Sequence, residues 1–151
     1  MIIMKIKIKK LNENAIIPER KSEYAAGMDL YACLPKGISV EIPPHTTEKI
    51  GTGLAMEIPE GYFGAIFARS GLASSPRALR PANCVGVCDS DYRGEYTVAI
   101  HNDSDNTQVV ENGERIAQLV VMPYLTVEFD EVNELSETER GEGGFGSTGM
   151  K

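Results

Sequence analysis

The sequence lacks what several common functions need. Its 151 residues carry 15 Lys and Arg against 22 Asp and Glu, a formal net charge of −7, with no long basic run. A strong grip on a nucleic-acid backbone needs clustered cations and is therefore not expected. No apolar run approaches the roughly 18 residues of a membrane span, and the N-terminus alternates Ile with Lys. We therefore expect neither a membrane partner nor a signal peptide.

Cysteine and histidine are also scarce. Cys33, Cys84 and Cys88 form no CxxC pair, and the two histidines, His45 and His101, show no zinc-type spacing. On an extended strand Cys84 and Cys88 would lie about 13 Å apart, too far for a disulfide. We expect free thiols, a reducing cytoplasmic compartment and no protein-ligated zinc. A catalytic triad assembled in space remains open, because sequence spacing cannot exclude it.

Short β patterns take the place of helical periodicity. Many strand-length runs, ended by Pro or Gly, predict one all-β domain, either a sandwich or a barrel. Short helical turns could form at Gly71–Ser75 and Asn133–Glu139. The predicted strands are Met4–Lys9, Ile38–Ile42, Leu54–Ile58, Tyr62–Ala68, Tyr96–Asn102, Arg115–Met122 and Leu125–Phe129.

A longer connection, Leu72–Asn83, contains two arginines and two prolines. Long connections without obvious structure are uncommon in compact domains and are often functional. The connection is therefore either a functional loop or a crossover between sheets.

The segment Gly86–Glu95 joins the apolar run Cys84–Cys88 to the strand pattern Tyr96–Asn102, and we expect a hairpin there. Asp89 closes the apolar strand, where a carboxylate must be partnered or put to use, for example as a base. Tyr92 stands at the tip, although turn chemistry asks for no aromatic ring. An ordinary solvated hairpin and a site fit the segment equally well. Turn chemistry, including the positive φ that glycine tolerates, explains Ser90, Asp91 and Gly94.

Three further segments each allow two interpretations. Arg69, Ser70 and Gly71 enter a helical turn that Ser70 would cap, so they form either an anion site or an ordinary capped turn. Asp29 lies between apolar neighbours, and periodicity favours an outward carboxylate over a buried, partnered one. Gln118 lies on an apolar strand, and its amide needs partners from the core backbone or from a ligand.

Glycine is concentrated in the tail Arg140–Gly149. Its spacing formally matches a dinucleotide fingerprint, but too few residues follow for the required helix, and a Walker lysine is missing. The tail is either disordered or an arm that folds over an anion. In the second case the amides and Arg140 would contact oxygen atoms and Phe145 would stack on a flat ring.

Taken in order, five segments resemble the five motifs of the trimeric deoxyuridine triphosphatase (dUTPase) family. They are Ala26–Ala32, Arg69–Ala73, Gly86–Gly94, Gly113–Val120 and Arg140–Gly149. Two positions depart from the family pattern: Ala68 stands where proline is frequent and Cys88 where a branched aliphatic residue is frequent. The resemblance implies a jelly-roll-like β-barrel over residues 1–139, a flexible C-terminal lid arm over 140–151, and a homotrimer with sites shared between subunits.

The resemblance also implies Mg²⁺-dependent hydrolysis of dUTP to dUMP and pyrophosphate. Asp89 would activate the water that attacks the α-phosphorus, and Asp29 would act behind the metal, which the substrate phosphates and water would hold. Base and sugar contacts would come from Asn83, Gly86, Val87, Tyr92 and Phe145. Phosphate contacts would come from Arg69, Ser70, Gly71, Gln118, Arg140, Gly146, Ser147 and Thr148.

Two rival functions share this fold by family analogy. A dCTP deaminase would need a glutamate base beside its serine-arginine segment, but Gly71, Leu72 and Ala73 follow Ser70 instead. A non-catalytic nucleotide-binding or regulatory protein would be expected to lose Asp89 or the tail, and both are present. Hydrolysis of dUTP is therefore the favoured interpretation, with the regulatory protein as the alternative.

Overall fold

The computed structural model describes residues 4–144, and these confirm the all-β prediction. One helical turn, α1 (Ser70–Ala73), interrupts a succession of short strands. No helix in this range is long and apolar enough to cross a bilayer. The strands are β1 (Lys7–Lys10), β2 (Met28–Tyr31), β3 (Ser39–Ile42), β4 (Thr47–Gly51), β5 (Leu54–Glu57), β6 (Tyr62–Phe67), β7 (Leu79–Pro81), β8 (Val85–Cys88), β9 (Thr97–Asn102), β10 (Gln108–Glu111) and β11 (Arg115–Pro123).

The strands pair antiparallel in four small sheets around one core. The largest sheet has the order β2-β11-β6-β8, a second has the order β4-β9-β7, and β1-β5 and β3-β10 form two-stranded sheets. Buried aliphatic side chains from all four sheets form a single apolar cluster, including Leu30, Ile42, Leu54, Ile100 and Leu119. The arrangement fits the expected jelly-roll-like fold, although no continuous ladder closes a barrel among residues 4–144.

The expected hairpin between Cys84–Cys88 and Tyr96–Asn102 is wrong. β8 pairs with β6, in a register that sets Cys88 opposite Gly64, whereas β9 pairs with β4 and β7. The segment between β8 and β9 therefore crosses from one sheet to another. Alternation tells which side chains of a strand face the core, but it does not tell which strand lies alongside.

Two predicted elements near the C-terminus are also wrong. Leu125–Phe129 is not a strand, and the side chains of Leu125 and Phe129 are 87% and 97% exposed. A strand needs a neighbour to pair with its backbone groups, and this segment has none among residues 4–144. Asn133–Glu139 forms no helix, because so short a segment is unstable as a helix without packing.

The connection Leu72–Asn83 is a crossover between sheets. It contains β7, which pairs with β9. Its arginines hold structure together: Arg77 pairs with Glu114, and the Arg80 guanidinium lies 2.6 Å and 3.0 Å from the two carboxylate oxygens of Asp103. The crossover interpretation accounts for both arginines.

A buried asparagine joins two of the sheets. The Asn102 amide nitrogen, at the end of β9, donates to the carbonyl oxygens of Ile42 in β3 and of Asn106, each at 2.8 Å. Its amide oxygen accepts from the backbone and hydroxyl of Ser104. Asn102 is fully buried, so water cannot replace these hydrogen bonds.

We expect Asn102→Ala to lower the free energy of unfolding by about 2–4 kcal/mol, because two buried carbonyls lose their donor. Urea unfolding at a fixed protein concentration measures this change. The exposed Asn14 provides the matched control, since Asn14→Ala should change stability by less than about 0.5 kcal/mol. Equal stability of the two variants would contradict this role for Asn102.

Candidate active site

A cavity of about 260 Å³ opens beside β8 and the start of β9. It brings together several residues that the sequence singled out, namely Asn83, Gly86, Val87, Asp89 and Tyr92. A larger groove of about 520 Å³ lies between the N-terminal segment and β11, but its lining is mostly apolar and includes none of the predicted site residues. The cavity beside β8 is therefore the candidate site.

The local path of the chain before β8 orients Asn83 toward the cavity. Cys84 adopts a left-handed φ of 63°, so the strand begins at Val85, one residue later than the apolar run suggested. Gly86 is buried, and a Cβ there would lie 3.2 Å from Ile66 Cβ and 3.4 Å from the Asn83 amide nitrogen. A side chain at position 86 would therefore push against both the sheet and Asn83.

Asp89 follows the last residue of β8 and is exposed at the cavity edge. The backbone N–H of Tyr92 donates to the Asp89 carbonyl at 3.1 Å, closing a tight turn. Within residues 4–144 the Asp89 carboxylate has no salt bridge and no hydrogen bond. The sequence analysis expected Asp89 to be desolvated at the end of an apolar strand. That expectation is wrong, because β8 ends at Cys88 and Asp89 is exposed. The carboxylate is instead exposed to solvent at the cavity edge.

Two other groups near this edge, the Cys88 thiol and the Tyr96 hydroxyl, have raised pKa values. Burial, followed by the nearby Asp89 charge, raises the pKa of the Cys88 thiol. Burial and the neighbouring Cys88 thiol also raise the pKa of Tyr96, whose hydroxyl is buried without a hydrogen-bond partner in the described chain. Neither group competes with Asp89 as a base.

A second polar cluster surrounds Asp29 in β2. The Arg69 Nε lies 2.7 Å from Asp29 Oδ1, and an Arg115 guanidinium nitrogen lies 3.3 Å from Oδ2. The Asp29 side chain is only 14% exposed. The favoured outward interpretation is therefore wrong, and the buried, partnered one is right. Periodicity could not reveal this, because the covering arginine comes from a segment 40 residues away.

Ser70 begins α1 but does not cap it. The N-cap is Arg69, in an extended conformation without a side-chain cap hydrogen bond. The Ser70 hydroxyl makes no hydrogen bond within residues 4–144, and no atom lies within 4 Å of a Cβ built on Gly71. These two exposed residues therefore remain available to a ligand.

Gln118 supports the same segment from β11. Its amide nitrogen donates to the Ala68 carbonyl at 2.8 Å, so backbone meets part of its hydrogen-bonding need. A Cβ on Gly27 would lie 3.3 Å from Gln118 Cδ, so the bare glycine makes room for the amide. Gln118 thus holds the chain just before Arg69.

The two clusters lie at opposite ends of the β6–β8 ladder. Phe67, which lies two residues before Arg69, pairs with Val85 at the start of β8. Asp89 comes four residues after Val85, just past the other end of β8. At about 3.3 Å per residue, Asp89 is separated from the Arg69 end by roughly 13 Å or more. One chain therefore does not bring the predicted base and the predicted phosphate ligands together.

The tail is only partly described. Arg140 is exposed, and its Nε donates to the Gly143 carbonyl at 2.8 Å. The predicted contacts Phe145, Gly146, Ser147 and Thr148 lie outside the described residues. Within the described ranges, no three His, Cys, Asp or Glu side chains converge to hold a metal.

Sequence reasoning missed two residues that organise these clusters. Arg115 supplies the second cation to Asp29, and Glu95 accepts a hydrogen bond from the Gly53 backbone at 2.7 Å. Both bonds join distant parts of the chain, so no local pattern could have identified them. The only available signal was position in the sequence, because each residue lies within a segment already singled out.

Comparison with known proteins agrees with this geometry. The dUTPase family model matches residues 13–149. A deoxyuridine 5'-triphosphate nucleotidohydrolase from a Hydrogenobaculum species is 47% identical over 98% of this chain and 100% of the relative, and one from Nautilia profundicola is 49% identical over 97% and 99%. The solved structure of the Staphylococcus bacteriophage 80alpha dUTPase with dUPNHPP has a TM-score of 0.82 at 34% identity, over 97% of this chain and 99% of that one.

Proposed function

Because the chain belongs to the dUTPase family, we propose that it hydrolyses dUTP to dUMP and pyrophosphate with Mg²⁺. Such a reaction keeps uracil out of DNA and supplies dUMP for dTMP synthesis. The observation that carries the proposal is the unpaired Asp89 carboxylate at the edge of a cavity that also contains Asn83 and Tyr92. Three free cysteines support a reducing, cytoplasmic setting.

The free edge of β8 is suited to a pyrimidine base. In the described chain β8 pairs only with β6, so the backbone groups on its other edge have no strand partner. Donors and acceptors of Gly86 and Val87 can therefore pair with the edge of uracil, much as an added strand would pair. The Asn83 amide adds a further polar group at the same end of the strand.

Asp89 then acts on the water that attacks the α-phosphorus. Its carboxylate accepts the proton from this water and orients the oxygen for attack, which is general-base catalysis. Position matters more than basicity here, because a held water reacts far more readily than a diffusing one. Tyr92 lies three residues on, where its ring can lie under the deoxyribose and exclude a 2′-hydroxyl.

The second cluster supplies the phosphate contacts. The Asp29 carboxylate holds the Arg69 guanidinium in place, and Ser70, Gly71 and Gln118 offer donors around it. Together they would bind the triphosphate, with Arg140 and the tail closing over it.

The described residues fit a metal ion that is bound mainly by the phosphate oxygens of the substrate and not by protein side chains. They include no set of three acidic or histidine ligands, and Mg²⁺ commonly keeps its water and binds phosphate oxygens instead. When bound, Mg²⁺ would neutralise phosphate charge. Asp29 is the carboxylate within the phosphate cluster that could accept hydrogen bonds from its water.

The separation of the two clusters supports a site shared between copies of the chain. We propose a homotrimer in which Asp89 and Tyr92 of one copy face the Arg69 cluster of another. Closed rings of identical chains form when one surface of each chain binds a different surface of the next. This assembly would bring together groups that a single chain keeps apart.

The exposed segment 124–135 supports self-association. It alternates exposed apolar residues with acidic ones, a pattern that suits a partly buried strand. The open edge of β1 offers the opposite charge, from Lys7, Lys9 and Lys10, beside the large apolar groove. We propose that segment 124–135 of one copy packs on this surface of another. Its exposed apolar side chains are Tyr124, Leu125, Val127, Phe129, Val132 and Leu135.

Substrate comparison tests the activity. With Mg²⁺, pyrophosphate release should be much faster from dUTP than from dTTP, UTP or dCTP, because the β8 edge and Tyr92 together select uracil and deoxyribose. Chelation of the metal with EDTA should strongly reduce the rate. Saturable dUTP binding without pyrophosphate would instead identify a regulatory binding protein, and ammonia release from dCTP would identify a deaminase.

Asp89→Asn should cut dUTP turnover at least about a hundredfold, since a positioned base is lost. The affinity for dUTP should stay within a few fold, because the shape of the cavity is kept. Asp91→Asn is the matched control, as Asp91 is another exposed carboxylate of the same loop. Stopped-flow turnover and calorimetric binding measure the two effects. Near-normal turnover in Asp89→Asn would remove this residue from the mechanism.

A mixing experiment tests the shared site. Deleting 140–151 should leave the fold and oligomer intact but abolish turnover, and Asp89→Asn should be nearly inactive for the reason above. If the arm and the base of one site come from different copies, refolding the two variants together at equal amounts should restore about a quarter of the parental activity by random assortment. No recovery would show that the arm and the base of one site come from the same copy, and full activity after deletion would show that the tail is no lid.

A further inference from the structure

The ring of Tyr92 occupies the space that a side chain at Gly94 would fill. A Cβ built on Gly94 would lie 2.6 Å from Tyr92 Cζ and 2.9 Å from Cε2. Gly94 does not have the positive φ for which turns favour glycine, so the sequence explanation of this glycine is wrong. Glycine is needed here because the ring lies against the backbone.

Two further contacts fix the ring. The Tyr92 hydroxyl donates to the Glu95 carbonyl at 3.0 Å, and the ring tilts against the buried Tyr96 ring at a centroid distance of 6.2 Å. Tyr92 nevertheless remains 44% exposed. The ring is thus held on one side while the other side stays open to the cavity.

The Glu95 side chain anchors the residue to which Tyr92 is bonded. Its carboxylate accepts the Gly53 N–H at 2.7 Å, from the turn between β4 and β5. A Cβ on Gly51 would lie 3.0 Å from the Glu95 Cδ, so this glycine also leaves room for the carboxylate. The Glu95 carboxylate also lies near the Cys33 thiol, whose pKa is raised first by burial and then by the Glu95 charge.

The backbone of Tyr96, the next residue, is hydrogen-bonded to the turn between β4 and β5 and to the first residue of β5. The Tyr96 N–H donates to the Leu54 carbonyl at 2.8 Å, and the Tyr96 carbonyl accepts from the Thr52 N–H and hydroxyl at 3.1 Å and 2.6 Å. The backbone after Glu95 is therefore already fixed. The Glu95 carbonyl shares one planar peptide with the Tyr96 N–H, so the bond to Leu54 sets its direction. The Glu95 carboxylate adds a second point of attachment, which ties this peptide, and with it the acceptor of the Tyr92 hydroxyl, to the turn between β4 and β5.

We propose that Glu95 and Gly94 are positioning residues that set the discrimination between deoxyribose and ribose by holding the Tyr92 ring. The inference deepens the proposed function and rests on it. A ring that excludes one hydroxyl must keep its place to within a fraction of an ångström. Gly94 leaves the space that the ring occupies, and the Glu95 carbonyl holds the hydroxyl in a peptide that is tied down by the Tyr96 N–H and by the Glu95 carboxylate.

The test compares kcat/KM for dUTP with kcat/KM for UTP. Glu95→Ala and Gly94→Ala should each lower this ratio at least about tenfold, toward the value for Tyr92→Ala, mainly because UTP is accepted better. Glu95→Gln keeps an oxygen acceptor for the Gly53 N–H and should stay within about threefold of the parent. Gly94→Ala should still fold, because the displaced atoms lie at the outer end of an exposed side chain.

Glu114→Ala is the matched control. Like Glu95, Glu114 is a half-buried carboxylate that accepts a backbone N–H, here from Glu111, but it contacts Arg77 far from Tyr92. Its loss should lower the melting temperature and leave the dUTP/UTP ratio unchanged. A ratio that falls equally in Glu114→Ala and Glu95→Ala would mean that general loosening, not positioning, is responsible.

Crystal structures of the variants complete the test. The Tyr92 ring should move in Gly94→Ala, and its hydroxyl should separate from the carbonyl of residue 95 in Glu95→Ala. An unmoved ring, or a parental ratio in both variants, would overturn the inference. Failure of the parent to hydrolyse dUTP would instead overturn the proposed function, and the ring position would still decide whether Glu95 and Gly94 hold Tyr92.

Discussion

The candidate site depends on two consecutive strands that do not pair. β8 bonds to β6 and β9 to β4 and β7, so the chain between β8 and β9 crosses from one sheet to another. In the part of the chain that the structure describes, this crossing leaves one edge of β8 without a neighbour and opens the cavity beside it. A hairpin would have used the same backbone groups to satisfy its own strands. The free edge of β8, the exposure of Asp89 and the position of the Tyr92 ring beside the cavity all result from this crossing between sheets.

The β6–β8 ladder also fixes the separation of the two polar clusters within one chain. β6 runs from Gly64, which pairs with Cys88 next to Asp89, to Phe67, which lies two residues before Arg69. Because the strand is extended, Asp89 and the Arg69 cluster lie at opposite ends of the ladder within one copy. The apolar and acidic segment 124–135 is left exposed on the same molecule. Both observations support the proposal that copies of the chain assemble with one another.

Several glycines of the site serve close approach and not turn geometry. Gly86 lets the sheet and Asn83 come together, Gly27 makes room for the Gln118 amide, and Gly94 seats the Tyr92 ring. None of these three has a positive φ. In each case a Cβ would touch a group on which the site depends, so the missing side chain is a structural requirement for placing its neighbour.

The sequence by itself determined the all-β class and most strand positions, and it singled out several residues that line the cavity beside β8. These follow from local causes, namely side-chain alternation, Pro and Gly punctuation, and the spacing of five motifs. Only the tertiary structure decided the partner of β8, the burial of Asp29 beneath Arg69, and the bond from Glu95 to Gly53. Tertiary structure also left Leu125–Phe129 without a strand partner, although its alternation is regular. The physical reason is the same throughout: alternation records which faces of a segment are apolar, whereas pairing and burial depend on which distant segment comes to lie against it.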